Sequence, residues 1–128
     1  MEYLLDTHTF LWFINGDEQL SQKAKDAITS PDAIKYISII SFWEIAIKVN
    51  LGKLKLDMAF EDLRKQVTIN GFELLPLTFE HTIELTNLDL HHRDPFDRII
   101  ICQALVEKFP IISKDGNFGK YDRLKLLW

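Results

Sequence analysis

Four acidic residues stand where carboxylates could act together. Asp6 follows the apolar triplet Tyr3-Leu4-Leu5, Glu44 follows the β-branched run that begins at Ile34, and Asp115 follows Ile111-Ile112. Asp97 lies inside His92-Arg93-Asp94-Pro95-Phe96-Asp97-Arg98. Each has a local use: Asp6 as an N-cap, Glu44 as the N3 partner of a Ser41 capping box, Asp97 at a helix dipole and Asp115 in an Asp-Gly turn. Taken jointly, Asp6, Glu44 and Asp115 each come just after a predicted strand, and Asp97 opens the helix that precedes the last of those strands. In a parallel sheet such positions fall along one edge. Carboxylates within about 5 Å of one another repel by roughly 3 kcal/mol per pair at an effective dielectric near 20, so a cation is the natural companion. Oxygen-only ligands favour a hard ion, Mg²⁺ or Mn²⁺, which also binds phosphate.

Other chemistries find no support in the spacing. His8, His81, His91 and His92 show no zinc-site pattern. His91 and His92, just ahead of a helix cap, read as solvated loop residues. There is no phosphate-cradling glycine loop and no serine in a nucleophile elbow. Trp12, Trp43 and the phenylalanines fall at helical spacing and read as core. Phe10, Trp12 and Phe13 on the first helix could instead form an apolar surface.

The elements that must position the acids alternate in type. Tyr3 to Leu5 reads as a strand, Thr7 to Asn15 as a helix stopped by Gly16, and Gln22 to Thr29 as a helix opened by Ser21. A strand is predicted over Ile34 to Ile40, then a helix capped by Ser41 that ends near Gly52. A polar-faced helix over Ala59 to Asn70, a strand over Phe72 to Leu75 and a helix over Phe79 to Leu88 follow. Asp94 as N-cap with Pro95 at the first helical position opens the next helix, which runs to about Lys108. Ile111-Ile112 and Leu124 to Trp128 read as the last strands. The pattern predicts one domain over residues 1–128, an α/β/α sandwich around a central parallel sheet.

With 128 residues, 47% hydrophobic and 27% charged, the chain is long enough for one real core. A net charge of −4 argues against gripping nucleic acid by bulk electrostatics, but not against an enzyme whose acids hold a cation. The single cysteine, Cys102, and the lack of a signal-peptide start or long apolar run lead us to expect a cytoplasmic protein with no membrane role.

With these residues assembled, the sequence resembles PIN-domain ribonucleases, specifically the VapC-type toxins of type II toxin–antitoxin modules. The resemblance spans nearly the whole chain. It rests on Leu5-Asp6-Thr7-His8, Ser41-Phe42-Trp43-Glu44-Ile45, His92 to Arg98 with Gln103-Ala104, and Ser113-Lys114-Asp115 with Phe118. It implies that Asp6, Glu44, Asp97 and Asp115 form the family's acidic quartet, and that Mg²⁺ or Mn²⁺ bound there assists hydrolysis of RNA phosphodiester bonds. Asp6, Asp97 and Asp115 would hold the ion, and Glu44 would complete the shell or orient the water. Asp94 would act as a cap outside the site, and Asn117 stands where some relatives carry a further acid. Lys48, Arg93, Arg98 and Lys114 become candidates for RNA phosphate contacts. A cognate antitoxin and a homodimer are the partners such a toxin implies. The rival readings are a catalytically silent PIN-like interaction module and a Mg²⁺-dependent phosphatase.

Overall fold

The computed structural model describes residues 1–128. Strand β1 (Glu2–Leu5) runs into helix α1 (Thr7–Asn15), followed by α2 (Gln22–Thr29), β2 (Ile34–Ser38) and α3 (Ile39–Asn50). Next come α4 (Leu63–Ile69), β3 (Phe72–Leu75), α5 (Phe79–Thr86), α6 (Pro95–Glu107), β4 (Ile111–Ile112) and β5 (Leu126–Leu127). All strand pairs are parallel, in the order β3-β2-β1-β4-β5. β1 therefore sits at the centre, and the chain reverses its direction of winding between β3 and β4. No helix is long and apolar enough to cross a membrane.

Neighbouring residues of the central strands feed opposite faces, as strand geometry requires. Leu4 and Ile111 enter one core with Ile99, Ile100, Phe118 and Tyr121. Leu5 and Ile112 enter the other with Phe10, Ile28, Ile37, Ile45 and Phe72. A sheet covered on both faces explains the unbroken apolar runs of its strands.

Helix ends follow local chemistry where the sequence supplies it. Asp6 Oδ1 accepts the Thr9 N–H at 2.8 Å, Ser21 Oγ the Ala24 N–H at 3.0 Å, and Asp94 Oδ1 the N–H groups of Phe96 and Asp97 at 2.9 and 3.1 Å. Gly16 closes α1 at φ 63°, as expected for a left-handed cap. Lys108 closes α6 in the same conformation, at φ 62°, without glycine's freedom.

The start of α3 differs from expectation. Ser38, not Ser41, is its N-cap, accepting the Ile40 N–H at 3.0 Å, so β2 stops before Ile39. The Ser38 hydroxyl also donates to Gln103 Oε1 at 2.5 Å, while Gln103 Nε2 donates to the Pro76 carbonyl at 3.3 Å. A buried partner on α6 fixes the helix start, and Ser41 and Glu44 lie inside the helix rather than forming a capping box. The predicted 59–70 helix is a 3₁₀ turn over Phe60–Asp62 followed by α4, and the predicted 79–88 helix stops at Thr86. The last strand is confined to Leu126–Leu127.

Candidate active site at the carboxyl ends of the strands

Asp6 leaves the end of β1 nearly buried, at 5% exposure. Its Oδ2 accepts the Ser113 hydroxyl at 2.5 Å, and Ser113 Oγ in turn accepts the Asp115 N–H at 3.0 Å. Ser113 follows β4, the neighbour of β1, so one hydroxyl ties the ends of two strands and two candidate acids together. Burial raises the Asp6 carboxyl above its usual range, against the opposing hydrogen bonds from Ser113 and Thr9.

Glu44 is also buried, one turn into α3. Oε1 lies 2.8 Å from Thr7 Oγ1, and Thr7 Oγ1 lies 2.8 Å from Ser41 Oγ. Because an ionised carboxylate only accepts, Thr7 gives its proton to Glu44 and Ser41 donates to Thr7. Oε2 pairs with Lys48 Nζ at 2.6 Å. Lys48, proposed from sequence as a phosphate contact, is thus engaged by Glu44.

Asp97 occupies the first turn of α6 with its side chain 20% exposed. Its carboxyl is raised to about 8, first by burial and then by the charges of Asp94, Glu44, Asp115 and Asp6. The four sequence-predicted acids therefore share one electrostatic field, with Asp94 as an added member despite its use as a cap. They do not form a ready-made chelate: no three His, Cys, Asp or Glu side chains are grouped so that they could hold a metal ion. Asp6 and Glu44 have their oxygens turned to protein donors, and Asp115 Oδ1 accepts the Asn117 N–H at 2.9 Å. The donor chemistry still fits a hard divalent cation. Acidic oxygens dominate the site, and burial together with the neighbouring charges raises the Asp97 carboxyl, a penalty that a cation would offset.

Several assignments from sequence need correction. His92 is not a solvated loop residue: its side chain is 9% exposed, Nδ1 lies 2.8 Å from Tyr121 Oη, and Nε2 is buried 3.8 Å from Asp97 Oδ2. Burial lowers the His92 imidazole, against the opposing pull of Asp115 and Asp94. Arg98 is a structural clamp. Its Nη1 lies within donating distance of the carbonyls of Asp89 and His92 at 3.0 and 3.2 Å and of Tyr121 Oη at 3.2 Å, so this nitrogen is committed to the protein. Trp43 is 58% exposed and meets Phe96 edge-on at 5.4 Å, so it is not core. Phe10 is fully buried and Phe13 packs on the same core, so they form no surface.

Trp12 instead borders a cleft of about 350 Å³ with His8, Gln19, Lys114, Asp6 and Asp115. Lys114 Nζ stands 5.9 Å from the centre of the Trp12 ring. The cleft thus opens from two of the acids onto an aromatic ring and a cation.

The sequence matches the PIN domain family over residues 3–124, so the chain belongs to the PIN-domain family. Its fold is shared by VapBC2 from Rickettsia felis bound to a promoter DNA fragment, at 16% identity over 99% of this chain and 98% of that one, TM-score 0.72. VapBC-1 from nontypeable Haemophilus influenzae aligns at 17% identity over 99% and 97%, TM-score 0.70. A toxin–antitoxin complex from Klebsiella pneumoniae aligns at 16% identity over 98% and 96%, TM-score 0.65. Comparison with curated proteins gives no match.

Proposed function

We propose that this chain is a Mg²⁺- or Mn²⁺-dependent endoribonuclease, the toxin of a type II toxin–antitoxin module, acting in the cytoplasm. The observation that carries the reading is the Asp97 carboxyl, raised first by burial and then by the charges of Asp94, Glu44, Asp115 and Asp6. A fold that needs only packing has no use for this repulsion, whereas an ion would relieve it. Asp6, Asp97 and Asp115 are the residues to hold the ion, with Glu44 completing the shell or orienting water. A divalent ion supplies Lewis acidity to a phosphodiester and acidifies the attacking water. The chain's own contribution is to hold these carboxylates with Ser113, Thr7 and Lys48, and to offer the Trp12–Lys114 cleft to the strand beside the scissile bond. Lys114 suits a phosphate and the Trp12 ring a base.

The partner reading draws on the sequence resemblance to VapC-type toxins and on the structural likeness to the Klebsiella toxin–antitoxin complex. A ribonuclease harmful to its host requires a restraining protein, and a cognate antitoxin covering the acidic edge fills that role. A homodimer is part of the same reading.

The test is cleavage of a mixed RNA pool by purified protein with Mn²⁺ and with excess EDTA. Cleavage should need the ion, and Asp97→Asn should lower turnover at least about a hundredfold while keeping the fold. Equal cleavage in EDTA rejects the metal mechanism. Unimpaired growth of cells making abundant soluble wild-type protein rejects the toxin assignment.

A further inference from the structure

We propose that His92 is a positioning residue for Asp97, its Nε2–H aimed at that carboxyl, with its tautomer set by Tyr121 and Arg98. The inference rests on the nuclease reading above only for its purpose; its geometry stands apart from it.

The tautomer follows from counting donors. Arg98 Nη1–H donates to Tyr121 Oη at 3.2 Å, and a guanidinium cannot accept in return. The tyrosine ring is buried, and its oxygen lies 2.8 Å from His92 Nδ1. If Nδ1 carried the ring proton, Tyr121 would receive two donors and its own buried proton would have no acceptor among its hydrogen-bond partners. The satisfied arrangement runs one way: Arg98 to Tyr121 Oη, and Tyr121 O–H to His92 Nδ1. A neutral His92 then carries its proton on Nε2.

That Nε2 is the unexplained atom of the site. It is buried and has no hydrogen-bond partner, although buried polar atoms almost always find one. The acceptor it faces, Asp97 Oδ2, is 3.8 Å away, too far for a hydrogen bond and about 1 Å beyond the usual length. A small turn of the Asp97 side chain toward a bound cation would bring Oδ2 within reach and give the buried Nε2–H its missing acceptor. His92 would then fix which oxygen faces the ion, as an outer partner orients a ligand. Asp94, whose Oδ1 caps α6, offers acceptors and not the donor that a carboxylate needs.

Two measurements test the proposal. In metal-free protein, long-range ¹H–¹⁵N NMR should show the neutral His92 protonated at Nε2, with the preference weakened in Tyr121→Phe; a proton on Nδ1 in the wild type overturns the proposal. Second, Mn²⁺ affinity is measured by calorimetry for wild type, His92→Ala, His92→Gln, Asp97→Asn and His92→Ala/Asp97→Asn. His92→Ala should weaken binding about tenfold in the wild type and by less than twofold beside Asp97→Asn, with His92→Gln restoring most of the loss through its amide donor. Equal losses in both backgrounds make His92 a packing residue and overturn the proposal. If no protein in the set binds Mn²⁺, the metal reading fails, and the tautomer together with a His92 Nε2 shift on Asp97→Asn decides the His92–Asp97 contact alone.

Discussion

The Ser113 hydroxyl and the Asp6 carboxylate are 107 residues apart in sequence and 2.5 Å apart in space. The same hydroxyl accepts the Asp115 N–H, so it sets the spacing of two acids at once. Ser113→Ala leaves Asp6 Oδ2 and the Asp115 N–H without this partner in a buried place. The expected loss is about 1.5–3 kcal/mol of stability, from urea unfolding of the metal-free protein. Because the Ser113 bond holds the Asp6 carboxyl down, its loss should raise that group further. Ser113→Thr keeps the hydroxyl and should recover most of the stability. An unchanged unfolding midpoint in Ser113→Ala would show the bond to be idle.

Asp97 makes stability depend on pH in an unusual direction. Its folded value of about 8 lies above an unfolded value near 3.8, so the native state holds a proton that the unfolded chain releases. From about pH 4 upward, this group's contribution falls as pH rises, and the decline ends near pH 8. The metal-free protein should therefore be more stable at pH 5.5 than at pH 8 as far as Asp97 is concerned, with a total effect of a few kcal/mol. Asp97→Asn should remove that slope and raise the metal-free melting temperature at pH 8. Parallel pH profiles for the two proteins would mean that Asp97 is not raised in the folded protein.

A cation should reverse the penalty. Mn²⁺ or Mg²⁺ binding only the native state stabilises it by about 2.7 kcal/mol at a hundred times its Kd, and the gain should grow as pH rises toward and past 8, where the proton competing for Asp97 is lost. Asp97→Asn should show a much smaller gain. A wild-type melting temperature indifferent to both ions, with calcium as the control, contradicts the ligand assignment.

Much of this was legible because it was local. Asp94-Pro95 as cap and first helical residue, Asp6 before α1 and Gly16 after it are satisfied within a turn, so sequence spacing is enough. The misreadings share a different cause. The Ser41-to-Glu44 spacing imitates a capping box, yet the cap of α3 is Ser38, whose hydroxyl Gln103 holds from 65 residues later. His92 lies next to a helix cap and looks like loop, but Tyr121, 29 residues on, buries it. Trp43 has helical spacing, which says which residues share a face and not which face meets solvent. Lys48 is the i+4 partner of Glu44, a pairing that helical spacing alone makes available and that competes with phosphate for the same charge.

The end of α6 offers a test far from the site. Lys108 adopts φ 62° with a full side chain, in a position where glycine has no steric penalty. Lys108→Gly should stabilise the protein by about 0.5–1 kcal/mol, visible in thermal unfolding, and leave nuclease activity unchanged. A destabilised variant would mean that the Lys108 side chain does more than end the helix.

The strand order carries a consequence for synthesis. β1 is made first, yet it is flanked by β2 and by β4, which is made more than a hundred residues later. Asp6 cannot meet Ser113 or Asp115 until that stretch has left the ribosome, and α6 with Asp97 must already have folded against the sheet. The acids of the site are therefore assembled only when these late elements have joined the sheet. The delay between making the first of these acids and completing the site is set by topology, and if the domain cuts RNA as proposed, a growing chain would spare the RNA of the machine that makes it.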